Sequence, residues 1–490
     1  MMKINMNLAV LLLVFAILMV SCTKPATNRA PLVLTPCKLG ITPALCGTLR
    51  VYENRDAQRG RRINIRVAVI KAKSPDAAPD PIFYLAGGPG GSAVEDGMRQ
   101  QFSSSLSYTH DIVFVEQRGT GNSNPKTVSQ GFPDFQGLIA EQIDANVKAR
   151  AWEYKVLQIF TMDTRFYTTS MAMDDLDDVR KALGYDKINL VGYSYGATAA
   201  QYYLRQHEDH VRTVTLGIGS LLDIPVFELW ALNGQRAMEL IINRCLADSA
   251  CQAAFPNLRE EFTGLLTQLA TTPATVSFTY PGNQQLDRIT FTPDYFAAFM
   301  RHMTTDAKND PFVPKLIHQA YDNNDWSGFA QYLADGYGPQ WWGNLAMEHT
   351  IRCSEKWASF DPAVVAELSK GSYLAGWDIS LANHQAYSCS FTPQGYTPEG
   401  ETDQPGSNVP VLIINGDLDP INPPENMAGA KELWPNSLSL IGKNQSHSWS
   451  NMDEITCWFS ILDQFINNGS VVGLDSSCMK VLQSPPFDTQ

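Results

Sequence analysis

Positive charge and long apolar runs are both scarce in this chain of 490 residues. Its 37 Lys and Arg residues are outnumbered by 50 Asp and Glu, so the net charge is -13 at pH 7. Phosphate backbones would repel so acidic a chain, and we expect no nucleic-acid partner. No Gly-rich sequence ends in Gly-Lys-Ser or Gly-Lys-Thr, which argues against a Walker-type nucleotide loop. Hydrophobic residues make up 44% of the chain, which is enough for a sizeable core.

The N-terminus has the pattern of an export signal. Lys3 precedes an apolar run at residues 8–20, which is too short for a comfortable membrane span but typical of a signal peptide. Cys22 follows and, with the small residue before it, resembles the bacterial lipobox, although Met19 stands where Leu is usual. We expect residues 1–21 to be a signal peptide and Cys22 to carry a lipid that tethers an exported protein to a bacterial membrane, in the periplasm or cell envelope. An ordinary cleaved signal is the alternative.

Cysteine usage agrees with export. If Cys22 is lipidated, 8 of the 9 cysteines remain, an even number suited to disulfides in an oxidising compartment. No close Cys-x-x-Cys or His-rich spacing supports a zinc site, and we expect no metal. Spacing alone does not fix connectivity, but proximity in sequence suggests these pairs: Cys37–Cys46, Cys245–Cys251, Cys353–Cys389 and Cys457–Cys478.

Strand and helix patterns alternate along the chain and are interrupted once. Short apolar runs predict buried parallel strands at residues 81–85, 111–116, 187–191, 211–216 and 409–414. Helices are expected at residues 171–183, from Ser194 to about 206, and at 424–433 and 455–466. This alternation implies a mostly parallel sheet with helices on both faces, and its interruption implies a large, mainly helical cap. The predicted division is the first part of the core at 22–222, the cap at 223–404 and the C-terminal part of the core at 405–490.

Ser194 is the candidate nucleophile. It stands in Gly-Tyr-Ser-Tyr-Gly at residues 192–196, with a hydrophobic strand before it and a helix rich in Ala and Tyr after it. Gly-x-Ser-x-Gly alone occurs by chance, but this strand–turn–helix setting is what a nucleophile elbow requires. The pattern predicts an α/β-hydrolase fold. A helix N-cap serine after a Gly-rich turn is the alternative reading.

A serine nucleophile needs a base and an orienting acid, which in this fold follow it in the order acid, then His. Of the 8 histidines, His447 alone lies beyond the late strand, in a loop where the base belongs, and His384 is the second candidate. We expect Asp419 to be the acid, because it lies three residues past the Gly that ends the late strand. Asp417 is expected to shape the turn by bonding backbone amides, and Glu425 is a third candidate acid.

Backbone amides are expected to bind the oxyanion of an acyl-transfer intermediate. One is the N–H of Tyr195, directly after the nucleophile. The other lies in the Gly-rich loop at residues 86–92, where we expect Gly88 to donate. This loop also has the glycine content of a phosphate site, but it lacks Lys, and Pro89 has no amide donor.

Three motifs together resemble the proline iminopeptidase and tripeptidyl aminopeptidase family. They are Gly-Gly-Pro-Gly-Gly-Ser from Gly87, Glu-Gln-Arg-Gly-Thr-Gly from Glu116, and the Asp-rich helix that leads into the elbow. The resemblance covers roughly residues 45–220 and 405–465. Ala86 stands where proline iminopeptidases have His, and Glu116 where they usually have Asp. These departures and the large cap point to the tripeptidyl branch.

The resemblance implies a peptide substrate and an exported serine aminopeptidase that needs no cofactor. An exopeptidase must bind the substrate's α-ammonium, and a cap carboxylate is expected to do so. Glu348 and Glu355 are the candidates, because tryptophan and cysteine surround them in sequence; pairing with Arg352 is the alternative role. The surrounding residues are Trp341, Trp342, Cys353 and Trp357.

Two rival functions stay open. An esterase could use the same Ser-His-Asp machinery, because fold does not fix substrate. A surface-binding lipoprotein with a silent site is the rival from another class, and the intact set of three residues argues against it. The sequence does not indicate an oligomeric state.

Overall fold

A nine-stranded sheet forms the centre of the protein, as seen in a computed structural model. The structure describes residues 32–99, 106–124, 162–280, 284, 286–335, 345–390, 392–449, 452–480 and 485–490. The predicted signal peptide and Cys22 therefore lie outside the described residues. Residues 32–490 form one compact unit by their internal contacts.

The sheet is parallel over most of its width. Its strand order is β1-β2-β3-β5-β4-β6-β7-β10-β11. The six strands from β5 to β11 in that order are parallel to one another, and β1, β2 and β3 form an antiparallel edge that pairs with β5. A separate antiparallel hairpin pairs β8 with β9. The strands are β1 Thr35–Leu39, β2 Thr42–Tyr52, β3 Arg62–Ile70, β4 Ile82–Leu85, β5 Ile112–Val115, β6 Ile188–Tyr193, β7 Val211–Gly217, β8 Ala274–Thr279, β9 Leu286–Phe291, β10 Val411–Gly416 and β11 Ser437–Gly442.

Helices cover both faces of the sheet, which explains why its strands are apolar throughout. Alternate residues of a strand point to opposite faces, so Phe83 joins one core cluster and Tyr84 another. Helices α2 and α3 pack on the first face, and α1 and α14 on the second. The α-helices of the described residues are α1 Ala93–Arg99, α2 Thr169–Leu183, α3 Tyr195–His207, α4 Trp230–Ala247, α5 Ser249–Ala254, α6 Leu258–Thr271, α7 Pro293–Met303, α8 Val313–Asn323, α9 Ser327–Ala334, α10 Leu345–Ser354, α11 Pro362–Leu368, α12 Ala375–Cys389, α13 Ala430–Leu433 and α14 Met452–Asn468.

A mainly helical insertion separates β7 from β10. It contains α4 to α12 and the β8–β9 hairpin. A large part of it has its own apolar core, in which Phe291, Phe296 and Phe329 pack ring against ring. Leu418, from the loop after β10, is buried in that same core. The insertion therefore packs directly on a loop that carries a candidate catalytic acid. The exact domain limits at residues 223 and 404 stay a prediction.

The predicted helix at residues 424–433 is wrong as a single element. The chain instead forms a 3-10 turn at Pro424–Met427 and a one-turn helix, α13. Gly429, between them, has φ 89°, a left-handed conformation that interrupts a right-handed helix. An apolar pattern over ten residues does not reveal such a break.

The four disulfides that the sequence suggests are all present. They join Cys37 to Cys46, Cys245 to Cys251, Cys353 to Cys389 and Cys457 to Cys478. The third links α10 to α12 inside the insertion. In the part of the chain that the structure describes, no helix has the length and apolar character needed to cross a membrane.

Candidate active site

Ser194 lies in a strained turn between β6 and α3. Its backbone has φ 55° and ψ -122°, a conformation rare for a residue with a side chain. The turn requires glycine on both sides: a Cβ on Gly192 would lie 2.1 Å from the Gly196 carbonyl oxygen, and one on Gly196 would lie 2.1 Å from the Leu85 oxygen. The strand–turn–helix geometry of a nucleophile elbow is therefore present, and it presents the hydroxyl at the carboxyl edge of the sheet.

Ser194, His447 and Asp419 form a continuous chain of polar contacts. The Ser194 Oγ is 3.1 Å from Nε2 of His447, and Nδ1 of His447 is 2.8 Å from Oδ2 of Asp419. These residues are far apart in sequence and are brought together at the ends of β6, β10 and β11. A hydroxyl, an imidazole and a carboxylate in this order can pass a proton from the nucleophile to the base.

Asp419 is held as an acceptor by the loop after β10. It is fully buried, and its Oδ1 accepts hydrogen bonds from the amides of Ile421 at 2.7 Å and Asn422 at 3.0 Å. These bonds leave Oδ2 directed at His447. The carboxylate thus has fixed partners on both oxygens, as an orienting acid requires.

The two alternative acids have other contacts. Burial raises the pKa of the Asp417 carboxyl, and the backbone amides of Asn444 and Gln445 oppose that rise. Glu425 pairs with Arg236 at 2.7 Å on the surface. Asp417 therefore joins the acid loop to the histidine loop through backbone groups.

The Gly-rich loop passes directly over the nucleophile. A Cβ on Gly87 would lie 3.4 Å from Cβ of Ser194. Gly88 has φ 124°, and a Cβ there would meet the Gly90 amide nitrogen at 2.8 Å. Glycine is thus needed for the loop to fold this closely against Ser194.

Glu116 anchors this loop. It is buried, and its carboxylate accepts hydrogen bonds from the Ser92 hydroxyl at 2.7 Å and the Ala93 amide at 2.8 Å. Burial raises the pKa of Glu116. In the sequence, Glu116 is notable only as part of a family motif. Its spacing from the Gly-rich loop gave no signal of this contact.

Tyr195 begins α3, so its amide is one of the helix's first N–H groups, which have no acceptor within the helix. Its side chain is fixed from several directions. The hydroxyl donates to Gln117 at 3.0 Å and is 3.1 Å from the Thr169 hydroxyl, and the ring stacks on Trp357 at 5.8 Å between centroids. These contacts hold the Tyr195 side chain at the first turn of α3, where its backbone amide lies.

Glu355 is buried beneath this tyrosine. Its carboxylate accepts the Thr169 amide at 2.6 Å, the Thr169 hydroxyl at 2.8 Å and the Trp357 indole N–H at 2.6 Å. Burial outweighs these bonds and raises its pKa to about 7. With these contacts, Glu355 joins the insertion to α2.

Glu348 lies on α10 and pairs with Arg352 at 2.9 Å, the alternative that its sequence position left open. Little of either side chain is exposed, and burial raises the pKa of Glu348. One oxygen, Oε2, has no hydrogen-bond partner among the described residues. Trp341 and Trp342, which drew attention to this segment, lie outside the described residues.

Sequence reasoning missed a group of buried charges beside Glu348. The Arg352 guanidinium lies 4.1 Å over the ring of Phe227, and that of Arg301 lies 4.1 Å over Trp230. Burial raises the pKa of Asp378 to about 7, although the positive charge of Arg301 opposes that rise. Burial lowers the pKa of Arg301, and the negative charges of Asp378 and Asp419 oppose that shift. Within the described residues, no cluster of His, Cys, Asp or Glu has the geometry of a metal site.

The alpha/beta hydrolase fold family matches residues 80–448. The chain belongs to this family. The match includes Ser194, Asp419 and His447, and it confirms the predicted fold class.

Two curated relatives of this hydrolase are peptidases by name. The serine protease Hip1 of Mycobacterium tuberculosis is 28% identical over 231 residues, which are 41% of this chain and 44% of the relative. The tripeptidyl aminopeptidase of Streptomyces coelicolor is 25% identical over 187 residues, 36% of this chain and 35% of the relative. The chain thus spans less than half the length of these relatives. Their names confirm the predicted family resemblance.

The hydrolase is also similar to solved structures. A proline iminopeptidase from Mycobacterium smegmatis covers 86% of this chain and 98% of its own length, with a TM-score of 0.41 and 15% identity. An esterase from Exiguobacterium antarcticum covers 83% of this chain and 96% of its own, with a TM-score of 0.35 and 14% identity.

Proposed function

We propose that this hydrolase is an exported serine aminopeptidase that releases residues or short peptides from the N-terminus of its substrates. The observation that carries the proposal is the polar chain from Ser194 through His447 to Asp419. A hydroxyl, an imidazole and a carboxylate in this order, with the serine on a strained elbow beneath a Gly-rich loop, are the arrangement of an acyl-transfer enzyme.

In the proposed mechanism, the Ser194 oxygen attacks the scissile carbonyl carbon while His447 takes the hydroxyl proton. Asp419 orients the imidazole and stabilises its protonated form. The amides of Gly88 and Tyr195 donate to the oxyanion of the tetrahedral intermediate. His447 then gives its proton to the leaving amine, which departs and leaves an acyl-enzyme. A water molecule, deprotonated by His447, cleaves that ester and restores the serine.

The names of two relatives, a serine protease and a tripeptidyl aminopeptidase, support the proposal that this hydrolase acts on peptides. Binding a free N-terminus requires an acceptor for the α-ammonium. Of Glu348 and Glu355, Glu348 is the stronger candidate, because Oε2 has no partner among the described residues while Glu355 already accepts three hydrogen bonds. We propose that at least one of the two binds the amine.

A panel of chromogenic mono-, di- and tripeptide amides, each with a free and an N-acetylated terminus, tests the proposed function. Short acyl esters are assayed in parallel. The proposal predicts that free-amine peptides have the highest kcat/KM. Preference for N-acetylated peptides would indicate an endopeptidase, and preference for esters would indicate an esterase.

Glu348→Gln tests the amine acceptor. Loss of the charge should raise KM for free-amine peptides by roughly 10-fold or more, the cost of leaving an ammonium unpaired in a partly dry pocket. Small neutral esters should be spared. Glu367→Gln is the matched control, because Glu367 lies exposed on α11 and pairs with Lys370 at the surface. If the Glu348 and Glu355 variants weaken free and blocked peptides equally, neither residue binds the amine.

We further propose that the protein is exported and tethered by lipid on Cys22. The four disulfides support export, because such bonds persist in oxidising compartments. Cys22→Ala should move the protein from the membrane fraction to the soluble fraction. Unchanged partitioning would remove the lipid anchor from the proposal and leave the enzyme assignment untouched.

A further inference from the structure

The histidine loop is bonded to the insertion on both sides of His447. The amide of Ser448 donates to the Thr305 carbonyl at 2.7 Å, and the Ala307 amide donates to the Ser448 carbonyl at 3.2 Å. The Ser446 hydroxyl donates to the Thr304 carbonyl and is fully buried. Residues 304–307, here called the bridging segment, thus hold the residues immediately before and after the candidate base.

The bridging segment is itself fixed within the insertion. It follows α7 directly, and the Thr304 hydroxyl donates back to the Arg301 carbonyl at 3.0 Å. On its other side, the buried side chain of Asn309 donates to the Met303 carbonyl at 3.0 Å. A segment bonded at both ends can transmit the position of the insertion to the loop it contacts.

The acid loop is held by the same insertion, through α4. Arg236 donates to the Asp417 carbonyl at 2.7 Å, and Asn233 donates to the Ile421 carbonyl at 3.2 Å. These two carbonyls lie on either side of Asp419. The core contributes a direct link between the two loops, from the Leu418 amide to the Gln445 carbonyl at 2.8 Å. Acid and base are therefore each held by the insertion as well as by the sheet.

We propose that the insertion positions the base, and that Ser446 is the positioning residue through which it acts on His447. The proposal rests on the proposed catalytic role of His447. Ser446 touches no reacting atom; its bond to the bridging segment sets the imidazole's place between Ser194 and Asp419. The insertion then has a role in the chemical step in addition to any role in substrate binding.

Ser446→Ala removes the bond and leaves the backbone contacts in place. The expected result is a roughly 10- to 100-fold lower kcat, the cost of a small misplacement of a catalytic group. KM should change less than about two-fold, because the hydroxyl does not contact substrate. Ser372→Ala is the matched control: this insertion serine donates to the Ala231 carbonyl at 2.9 Å and should leave kcat unchanged. A kcat for Ser446→Ala within two-fold of wild type would overturn the proposal.

A double mutant separates positioning from general loosening of the fold. If Ser446 acts through His447, Ser446→Ala should change the residual rate less than about two-fold in a His447→Ala background. An equal loss in both backgrounds contradicts the positioning role. If His447→Ala itself kept wild-type activity, the proposed function would fail instead, so the two failures are distinguishable.

Discussion

Asp419 and Asp378 are both buried aspartates, one in a core loop and one in the insertion, and their surroundings differ. Asp419 accepts two backbone amides and contacts His447. Asp378 makes no direct ion pair with the described residues; the charge of Arg301 and the Ala231 amide favour its ionised form, but burial outweighs them. The core holds its charge with preorganised donors, whereas the insertion buries charge with less compensation.

This difference distinguishes the groups proposed for the chemical step from the insertion that packs on them. The core supplies the candidate nucleophile, base and fully bonded acid, while the insertion holds the loops that carry the acid and the base. Buried charges with incomplete pairing cost stability, and such costs are common where a protein binds a ligand or adjusts specificity. Variants in the core should therefore change kcat most, and variants in the insertion should change stability or substrate choice most.

Ser194→Ala should have the largest effect on activity. Removing the nucleophile should lower kcat by several orders of magnitude, because triad members act as a unit. The fold should be retained, since alanine fits the turn that serine occupies. Steady-state kinetics and circular dichroism check both points. A variant that kept more than about a hundredth of wild-type turnover would show that another group is the nucleophile.

Asp419→Asn should have the next largest effect. The change removes the charge that stabilises the imidazolium and disturbs the tautomer, which costs roughly 10⁴-fold in kcat. Asp417→Asn is the matched comparison two residues away, and it should be much milder because that carboxylate contacts backbone amides instead of His447. The opposite ranking would move the acid to Asp417.

Asp378→Asn should have a smaller effect, on stability. Burial raises the folded pKa of Asp378 from its ordinary value of 3.8 to about 7, so at intermediate pH the folded state binds a proton that the unfolded state has released. Its contribution to the unfolding free energy is present below about pH 4 and is lost as the pH rises to about 7. The variant should lack this loss, which is worth roughly 3 kcal/mol between pH 5 and pH 8.

Urea unfolding of wild type and Asp378→Asn at intervals between pH 5 and pH 8 measures that difference. The wild-type unfolding free energy should fall more steeply with pH than that of the variant. Parallel pH profiles for the two proteins would mean that Asp378 is ionised in the folded state, and that the insertion compensates its buried charge as fully as the core does.

Much of the site could be predicted because its chemistry requires particular residue types in a particular order. The elbow glycines around Ser194 signal a tight turn, and the order acid then His after the late strand points to Asp419 and His447. The structure places these three residues in contact, while their catalytic roles stay predictions. The disulfides were equally predictable, because each one joins two cysteines that are consecutive in the sequence order of the cysteines.

The insertion was much less predictable. Apolar periodicity indicated its helices, but not that Arg301, Arg352 and Asp378 lie together in its interior. Their burial depends on how four helices pack, which a helix pattern does not specify. The contacts of the bridging segment could not be predicted from the sequence for another reason. They use mainly backbone groups, which every residue carries.

The central claim is that Ser194 is an activated nucleophile, and fluorophosphonate labelling followed by peptide mass spectrometry tests it most directly. The probe should modify Ser194 alone, and labelling should be nearly abolished in His447→Ala, because the hydroxyl then lacks its base. Unlabelled wild-type protein, or an adduct on another residue, would contradict the account.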